Sequence, residues 1–437
     1  MPADDINVAI IGAGLHGRHL INCCLDIAGV RFKAVCDIWP YSQRYASGIL
    51  KKRGQPVNVY EDYREMLAAE KDLDAVIIAT PDSFHAEQTI ACLKAKLHVY
   101  CEKEMHTTVE GARQMVLAAR EARKLLQIGR QHRSNPRYHI ALDYILTKNA
   151  LGHLASVSGQ WHGHKRVPFK WPQTMAIPAE TLKRYGFDSM EQHRNWRWFA
   201  RFSAGEIANL GTHQIDVFNW FLRSPPRAVM ASGGLDCYDF FELYDNAVCL
   251  FEWDYQWQGA TKTVRGDYHV LTAADIGGFY EVITGTEGYL AISEDPSKGG
   301  LWRWAGDYDR WGHCTCPKAD WEHGLKEIPI EEALDGPECA EARWAGLITG
   351  YWGRDSFSGF FEQVLETYRH YPPIPYPGEE KAPHWYHLKN FFDAARGTCK
   401  LTCPADVAYP TTVSVLKAVE SMNTRRRIEL KPADYAV

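Results

Sequence analysis

The stretch that decides the fold is NVAIIGAGLHGRH, residues Asn7 to His19. A short run of branched apolar residues ends in three glycines, Gly12, Gly14 and Gly17, spaced G-x-G-x-x-G. The apolar run reads as a buried parallel strand. The next segment, HGRHLINCCLDIAG, carries Leu20, Ile21, Cys24 and Leu25 at helical spacing, with Gly29 as a stop. A second strand, RFKAVCD, ends in Asp37, twenty residues beyond Gly17. Strand, glycine loop, helix, strand and acid in this order turn a weak motif into a dinucleotide-binding fingerprint. Gly12 permits the tight turn and Gly14 lets backbone N–H groups approach a pyrophosphate. Gly17 lets the helix pack close to the strand, so that its positive end faces the phosphates. Leu15 and His16, inside the motif, join the same cofactor-binding set. Asp37 is placed to accept hydrogen bonds from the adenine-ribose hydroxyls, and it would repel a 2′-phosphate by on the order of 4 kcal/mol at contact. NAD is therefore expected rather than NADP; Arg44 is the nearby cation in the sequence that argues the other way.

The chain has 437 residues, 46% of them hydrophobic, enough for two or three domains. Its net charge of −5 comes from acids and bases mixed along the chain, without a basic face or tail. Neither nucleic acid nor an anionic membrane is an expected partner. No apolar run approaches the roughly 18–20 residues of a membrane helix. The start, MPADDINVAIIG, shows no export signal, so a cytoplasmic protein is expected. The 12 scattered cysteines fit a reducing compartment. The segment HCTCPKADWEH, His313 to His323, has a C-x-C too short for the usual zinc knuckle, and no metal site is expected.

The alternation of strands and helices continues through EDYREMLAA, LDAVIIAT, HAEQTIACLKAK, LHVYCEK, TVEGARQMVLAAREARK and LLQIG. Residues 1–130 thus read as an α/β, Rossmann-type domain with a doubly wound parallel sheet. Ligands on such sheets lie beyond the carboxyl ends of the strands. Two of these ends, ATPDSFH and CEKEMH, are rich in chemistry and place Thr80, Pro81, His85, Glu102 and Lys103 among the expected cofactor-binding residues. Beyond residue 130 the strands lengthen and partly alternate, as in GHLASVSGQWHGHKR and AVCLFEWDYQWQGATKTV. Residues 131–437 read as an α+β domain with a large, mostly antiparallel open sheet, for substrate binding and oligomerisation. Residues 290–380 form an atypical insertion, and a helix over 406–423 is expected to pack back.

At this point the sequence resembles the Gfo/Idh/MocA family of sugar and cyclitol oxidoreductases. The likeness is carried by VAIIGAGLHGRH, AVIIATPDSFHAEQTIACLKAKLHVYCEKEM, GRQHRSNPRY and SAGEIANLGTHQIDVFNWFL, and by the tail beginning HLKNFFDAARG. The family's Glu-Lys-Pro signature is matched by Glu102 and Lys103, with Glu104 in place of the proline. The resemblance implies that Lys103 lies near the nicotinamide and the reacting carbinol. The replacement implies a less rigid loop and an extra charge beside the lysine. A second family signature, aspartate–histidine–aspartate, is represented by Asn209, His213 and Asp216, so the first acid is lost.

Oxidation of a carbinol requires removal of its hydroxyl proton as the hydride leaves, and a neutral imidazole suits that task. His213 is the candidate base, and Lys103 is the group that stabilises the developing negative oxygen. If one helix holds all three residues, Asn209 and His213 share a face, as do His213 and Asp216. Asp216 then substitutes for the lost acid, or a less basic histidine does the work, or the chemistry is lost and binding remains. Arg133, Tyr138, His162, His164, Trp196 and Arg197 are the candidate contacts to a carbohydrate-like substrate. The leading reading is an NAD-dependent oxidoreductase acting on a sugar, cyclitol or glycoside hydroxyl. Two others stay open: glycoside cleavage by oxidation and elimination, with Tyr138 and Tyr185 as auxiliary bases, and a non-catalytic nucleotide-binding sensor. Exposed aromatic sheet surface and the resemblance both imply a homodimer or homotetramer.

Overall fold

The computed structural model describes residues 5–163, 166–240, 242–273, 277–295, 299–303 and 381–437. His164, His313 to His323 and most of the 290–380 insertion lie outside the described residues. The first sheet contains β1 (Ile6–Ile11), β2 (Val30–Cys36), β3 (Asn58–Tyr60), β4 (Ala75–Ile78), β5 (His98–Cys101) and β6 (Leu126–Ile128). All pair in parallel, in the order β3-β2-β1-β4-β5-β6. This is the doubly wound order, with its switch point between β1 and β4. All four residues of β4 are fully buried, which is why its sequence shows an unbroken apolar run instead of alternation. The helix Pro40–Lys52 and the short, exposed β3 are further elements that the hydrophobic pattern does not announce.

The second sheet contains β7 (Leu154–His162), β8 (Pro226–Gly234), β9 (Asn246–Trp257), β10 (Ala260–Leu271), β11 (Gly278–Gly285), β12 (Gly288–Ile292), β13 (Gly299–Arg303) and β14 (Ile428–Glu429). Its order is β13-β12-β11-β7-β10-β9-β8-β14. The pair β7–β10 is parallel and the others are antiparallel. The long run AVCLFEWDYQWQGATKTV is a hairpin of β9 and β10. Gln258 and Gly259 sit at its tip with φ of 48° and 79°, the doubly positive turn that matches strand twist. The inner face of this sheet buries Phe251, Trp253, Val264 and Tyr268 against Phe218 and Phe221 of the helix Thr212–Leu222.

The C-terminal segment ties the two sheets together. Leu388, Phe391 and Phe392 of the helix Pro383–Ala395 enter the core containing Val8, Ile10 and Ile77. Ala408, Tyr409 and Val413 of the helix Ala405–Thr424 enter the core containing Ala9, Ile11 and Val76. Alternate strand residues point to opposite faces, so these two helices cover opposite sides of the parallel sheet. The second helix is about 30 Å long. Its remaining length carries Val415, Ala418 and Met422 into the core of the large sheet. It spans 405–424, where the sequence reading placed 406–423.

The glycine loop is built from close backbone contacts. Gly12 has φ +90°, and a Cβ there would meet the Ala79 carbonyl carbon at 2.6 Å. A Cβ on Gly17 would lie 2.0 Å from the Gly12 carbonyl oxygen. A Cβ on Gly14 would meet nothing within 4 Å. Two glycines are thus required by the fold, and the third borders open space. Gly17→Ala is expected to push the helix Leu15–Leu25 off the loop. The cost is about 1–3 kcal/mol of overpacking, read by denaturant unfolding, together with weakened NADH binding read by fluorescence. Unchanged stability and binding would show that the contact is not limiting.

Candidate active site

A cavity of about 1100 Å3 lies over the carboxyl ends of the parallel strands. Gly12, Gly14, Leu15, His16, Asp37, Thr80, Pro81, Glu102, Lys103 and His213 line it, together with Trp161, Trp196 and Arg197. The helix Leu15–Leu25 begins at this cavity without a side-chain cap, which leaves its first N–H groups for a ligand. The open space beside Gly14 is where a pyrophosphate fits. Asp37 accepts 2.8 Å hydrogen bonds from the backbone N–H groups of Ala13 and Trp39. Each carboxylate oxygen keeps acceptor capacity for a ribose hydroxyl. Burial pushes the Asp37 carboxyl up to about 6, against the pull of those two N–H groups and of Arg18 and Arg194. These are the cations beside Asp37; the Arg44 guanidinium instead lies 2.7 Å from the Met175 sulfur.

Lys103 reaches this cavity from just beyond β5, and His213 from the helix Thr212–Leu222 that packs on the large sheet. The Lys103 ammonium donates to the Asn209 carbonyl oxygen. Burial, with Arg197 close by, lowers its pKa below the usual lysine range. His213 follows four residues after Asn209, on the first turn of the helix Thr212–Leu222. Burial lowers its imidazole well below the usual range, and the charge of Lys103 adds to this. Among the described residues, His213 Nδ1 is buried without a hydrogen-bond partner. The imidazole is therefore neutral at neutral pH and available to accept a proton.

Asn209 precedes the helix that carries His213. It lies in a π-helical turn, Ile207–Gly211, and its side-chain amide faces Ser203 Oγ at 3.4 Å. Asp216 does not replace the lost acid. It accepts from Arg133 at 2.6 and 3.0 Å and from Thr411 at 2.9 Å. Burial opposes its ionisation, but Arg133 and Arg130 hold its carboxyl below the usual range.

Other expected substrate contacts also lie away from the lining. Arg133 is committed to Asp216. Tyr138 is fully buried, stacked on His132 at 4.5 Å, and donates to Glu281 at 2.8 Å. His162 Nε2 lies 2.9 Å from His269 Nδ1, across β7 and β10. His85 is buried with its ring nitrogens 2.7 Å from the Glu104 carbonyl and 2.9 Å from the Thr80 carbonyl, so it holds the loop rather than a ligand. Gly17 serves packing. Asp82, Gln131, Glu294 and His384 line the cavity without having been singled out from sequence. Burial pushes the Asp82 carboxyl up to about 7, although Arg197 and Lys103 pull the other way.

Glu104 does not loosen the loop. It is fully buried and accepts from Arg130 at 2.8 Å, Thr412 at 2.6 Å, Thr212 at 2.6 Å and the Met105 N–H at 2.8 Å. Arg130 Nη1 also lies 3.5 Å from Asp216. Glu104, Asp216, Arg130 and Arg133 thus form a charge-balanced cluster between the two sheets. Breaking a buried pair costs about 3–5 kcal/mol because its partner charge is left uncompensated. Glu104→Leu is expected to lose that amount in equilibrium unfolding, and Glu104→Pro, which restores the family residue, loses it too. Unchanged midpoints would show that the carboxylate does not hold the loop.

Comparison with known proteins follows the same division of the chain. Residues 6–130 match the model of the oxidoreductase family with an NAD-binding Rossmann fold, and residues 141–291 match that of the GFO/IDH/MocA C-terminal domain. An inositol 2-dehydrogenase of Rubrobacter xylanophilus is 33% identical over 162 residues, 37% of this chain and 44% of that protein. One from Salmonella paratyphi B is 29% identical over 227 residues, 51% of this chain and 56% of that protein. The chain spans about half the length of the curated relatives it matches. The crystal structure of the WlbA dehydrogenase from Bordetella pertussis, in complex with NADH and UDP-GlcNAcA, is similar in fold, with a TM-score of 0.65 at 17% identity over 99% of both chains. The two family matches together cover well over half of the sequence, and the chain belongs to the Gfo/Idh/MocA family, with that family's NAD-binding Rossmann domain.

Proposed function

We propose that the protein is an NAD-dependent dehydrogenase of a sugar- or cyclitol-type carbinol. The observation that carries this reading is the meeting of Lys103, His213 and the glycine loop around one cavity. NAD, when bound, supplies the hydride acceptor. The loop of Gly12 and Gly14 and the helix start would hold the pyrophosphate, and Asp37 the adenine ribose. His213 takes the hydroxyl proton as the C–H bond gives up its electron pair. Lys103, positioned by the Asn209 carbonyl, donates to the oxygen as negative charge develops on it. Trp161 and Trp196 offer flat apolar surfaces to a sugar ring, and Arg197 offers donors to its hydroxyls. The inositol 2-dehydrogenase relatives support a polyol substrate. Of the tyrosines considered for elimination chemistry, Tyr138 donates to Glu281, and Tyr185 lines the cavity with its hydroxyl donating to Glu61 at 3.2 Å.

We further propose that a second copy of the chain covers the outer face of the large sheet. Met230 and Leu250, paired across β8 and β9, are 54% and 56% exposed, and Val248 beside them is 45% exposed. Among the described residues, no helix is long and apolar enough to cross a membrane. Light scattering is expected to give at least a dimer, with Leu250→Lys shifted toward monomer. A monomeric parent protein contradicts this.

NADH formation across a panel of inositols, aldoses and glycosides tests the activity. Lys103→Met and His213→Ala are each expected to lower kcat/KM by about 10²–10⁴. The base works when unprotonated, and its folded pKa lies below 6.5, so activity falls only at pH below that value. The ammonium is needed charged, and its pKa lies below 10.5, so the alkaline limb falls early. Lys103→Arg is expected to move that limb to higher pH and leave the acid limb in place. Turnover that survives both deletions would end this assignment.

A further inference from the structure

At the rim of the same cavity three side chains from distant parts of the sequence converge. His16 comes from the glycine loop, Glu102 from the end of β5, and His384 from the first turn of the helix Pro383–Ala395. Each presents one donor atom, and these atoms all lie within 4.8 Å of one another. We propose that His16, Glu102 and His384 form a binding site for a divalent transition-metal ion, with its open positions toward the cavity.

Three observations argue for an ion over a hydrogen-bonded cluster. His16 Nε2 is buried and lies 3.0 Å from Glu102 Oε1, close enough for both atoms to reach one ion. With metal bonds about 2.0–2.2 Å long, neighbouring ligands stand about 3 Å apart in octahedral coordination and about 3.4 Å apart in tetrahedral coordination. The donors are also held in place from behind. Glu102 accepts from the Tyr100 hydroxyl and from the Lys103 N–H at 3.2 Å. Gly129 lies under its carboxylate, where a Cβ would come within 2.8 Å. The helix of His384 is fixed one turn on by His387, whose Nε2 lies 2.8 Å from the Ile128 carbonyl. Lastly, His19 Nε2 lies 3.3 Å from His384 Nδ1, which leaves the other ring nitrogen of His384 as the ligand and supplies an orienting partner behind it.

Two imidazoles and one carboxylate suit zinc, cobalt, manganese or ferrous ions, and a three-ligand set leaves positions for exogenous oxygen ligands. Lys103, next in sequence to Glu102, and His213 line the same cavity. An ion here would coordinate the oxygens of a polyol and acidify a bound hydroxyl. That role rests on the proposed dehydrogenase reading; the binding of the ion does not.

The test is metal uptake by the full chain after chelator treatment and desalting, titrated with cobalt(II) and followed by visible absorption, with zinc competing against a chromophoric chelator. One equivalent is expected to bind. His16→Ala and His384→Ala should weaken uptake by about 100-fold or more, and His384→Asp should keep an ion with a shifted cobalt spectrum. His162→Ala, which removes the separate His162–His269 pair, should bind as the parent does. Circular dichroism confirms that each variant is folded. No uptake by the parent, or uptake that persists in both alanine variants, overturns the proposal. A parent that binds one ion and turns over no polyol, with or without it, contradicts the dehydrogenase reading and leaves the metal site standing.

Discussion

The site depends on how one loop, Glu102–Lys103–Glu104, is held between two sheets. The Glu104 carboxylate receives Arg130 from beyond β6, Thr212 from the start of the helix carrying His213, and Thr412 from the C-terminal helix. Three separate parts of the chain thus converge on one buried group. The flanking residues are placed as a consequence: Glu102 turns toward His16, and Lys103 reaches across to the Asn209 carbonyl. A buried carboxylate without such partners would carry a large desolvation penalty, and with them it becomes a specific joint. Where the family signature uses the fixed geometry of a proline, this chain uses a saturated carboxylate.

The same balance explains the electrostatics around the reacting centre. The aspartate lost at position 209 would have favoured a protonated histidine. With Asn209 in its place, and Asp216 paired with Arg133 and Arg130, His213 Nδ1 has no hydrogen-bond partner among the described residues. Burial and the neighbouring ammonium then keep the imidazole neutral. A neutral base beside a cationic donor is a competent pair for moving a proton from a carbinol.

Much of this was legible in the sequence because it rests on local pattern. The glycine spacing, the apolar runs of β1 and β4 and the acid at Asp37 are all set within a few tens of residues. The parallel sheet and its ligand edge follow from them. Lys103 and His213 were legible through resemblance, and the cavity contains both. What escaped depends on contacts distant in sequence. Nothing around His384 marks it as a neighbour of His16, since only the packing of Leu388, Phe391 and Phe392 on the parallel sheet brings it there. Arg133 and Tyr138 carry side chains suited to a sugar, but buried acids at Asp216 and Glu281 claim them. The π turn at Ile207–Gly211 leaves no periodic signature, so the sequence does not show that Asn209 stands outside the helix of His213. Glu104 reads as an extra charge beside Lys103 on a less rigid loop until its partners, as far away as Thr412, are seen around it.

The central claim is that the ammonium of Lys103 and the imidazole of His213 address the same substrate oxygen. A crystal structure of the complex with NADH and a polyol tests it most directly. One carbinol oxygen is expected within about 2.6–3.2 Å of both Lys103 Nζ and a ring nitrogen of His213. A polyol bound with its oxygens out of reach of either group, or a nicotinamide lying outside this cavity, would contradict it.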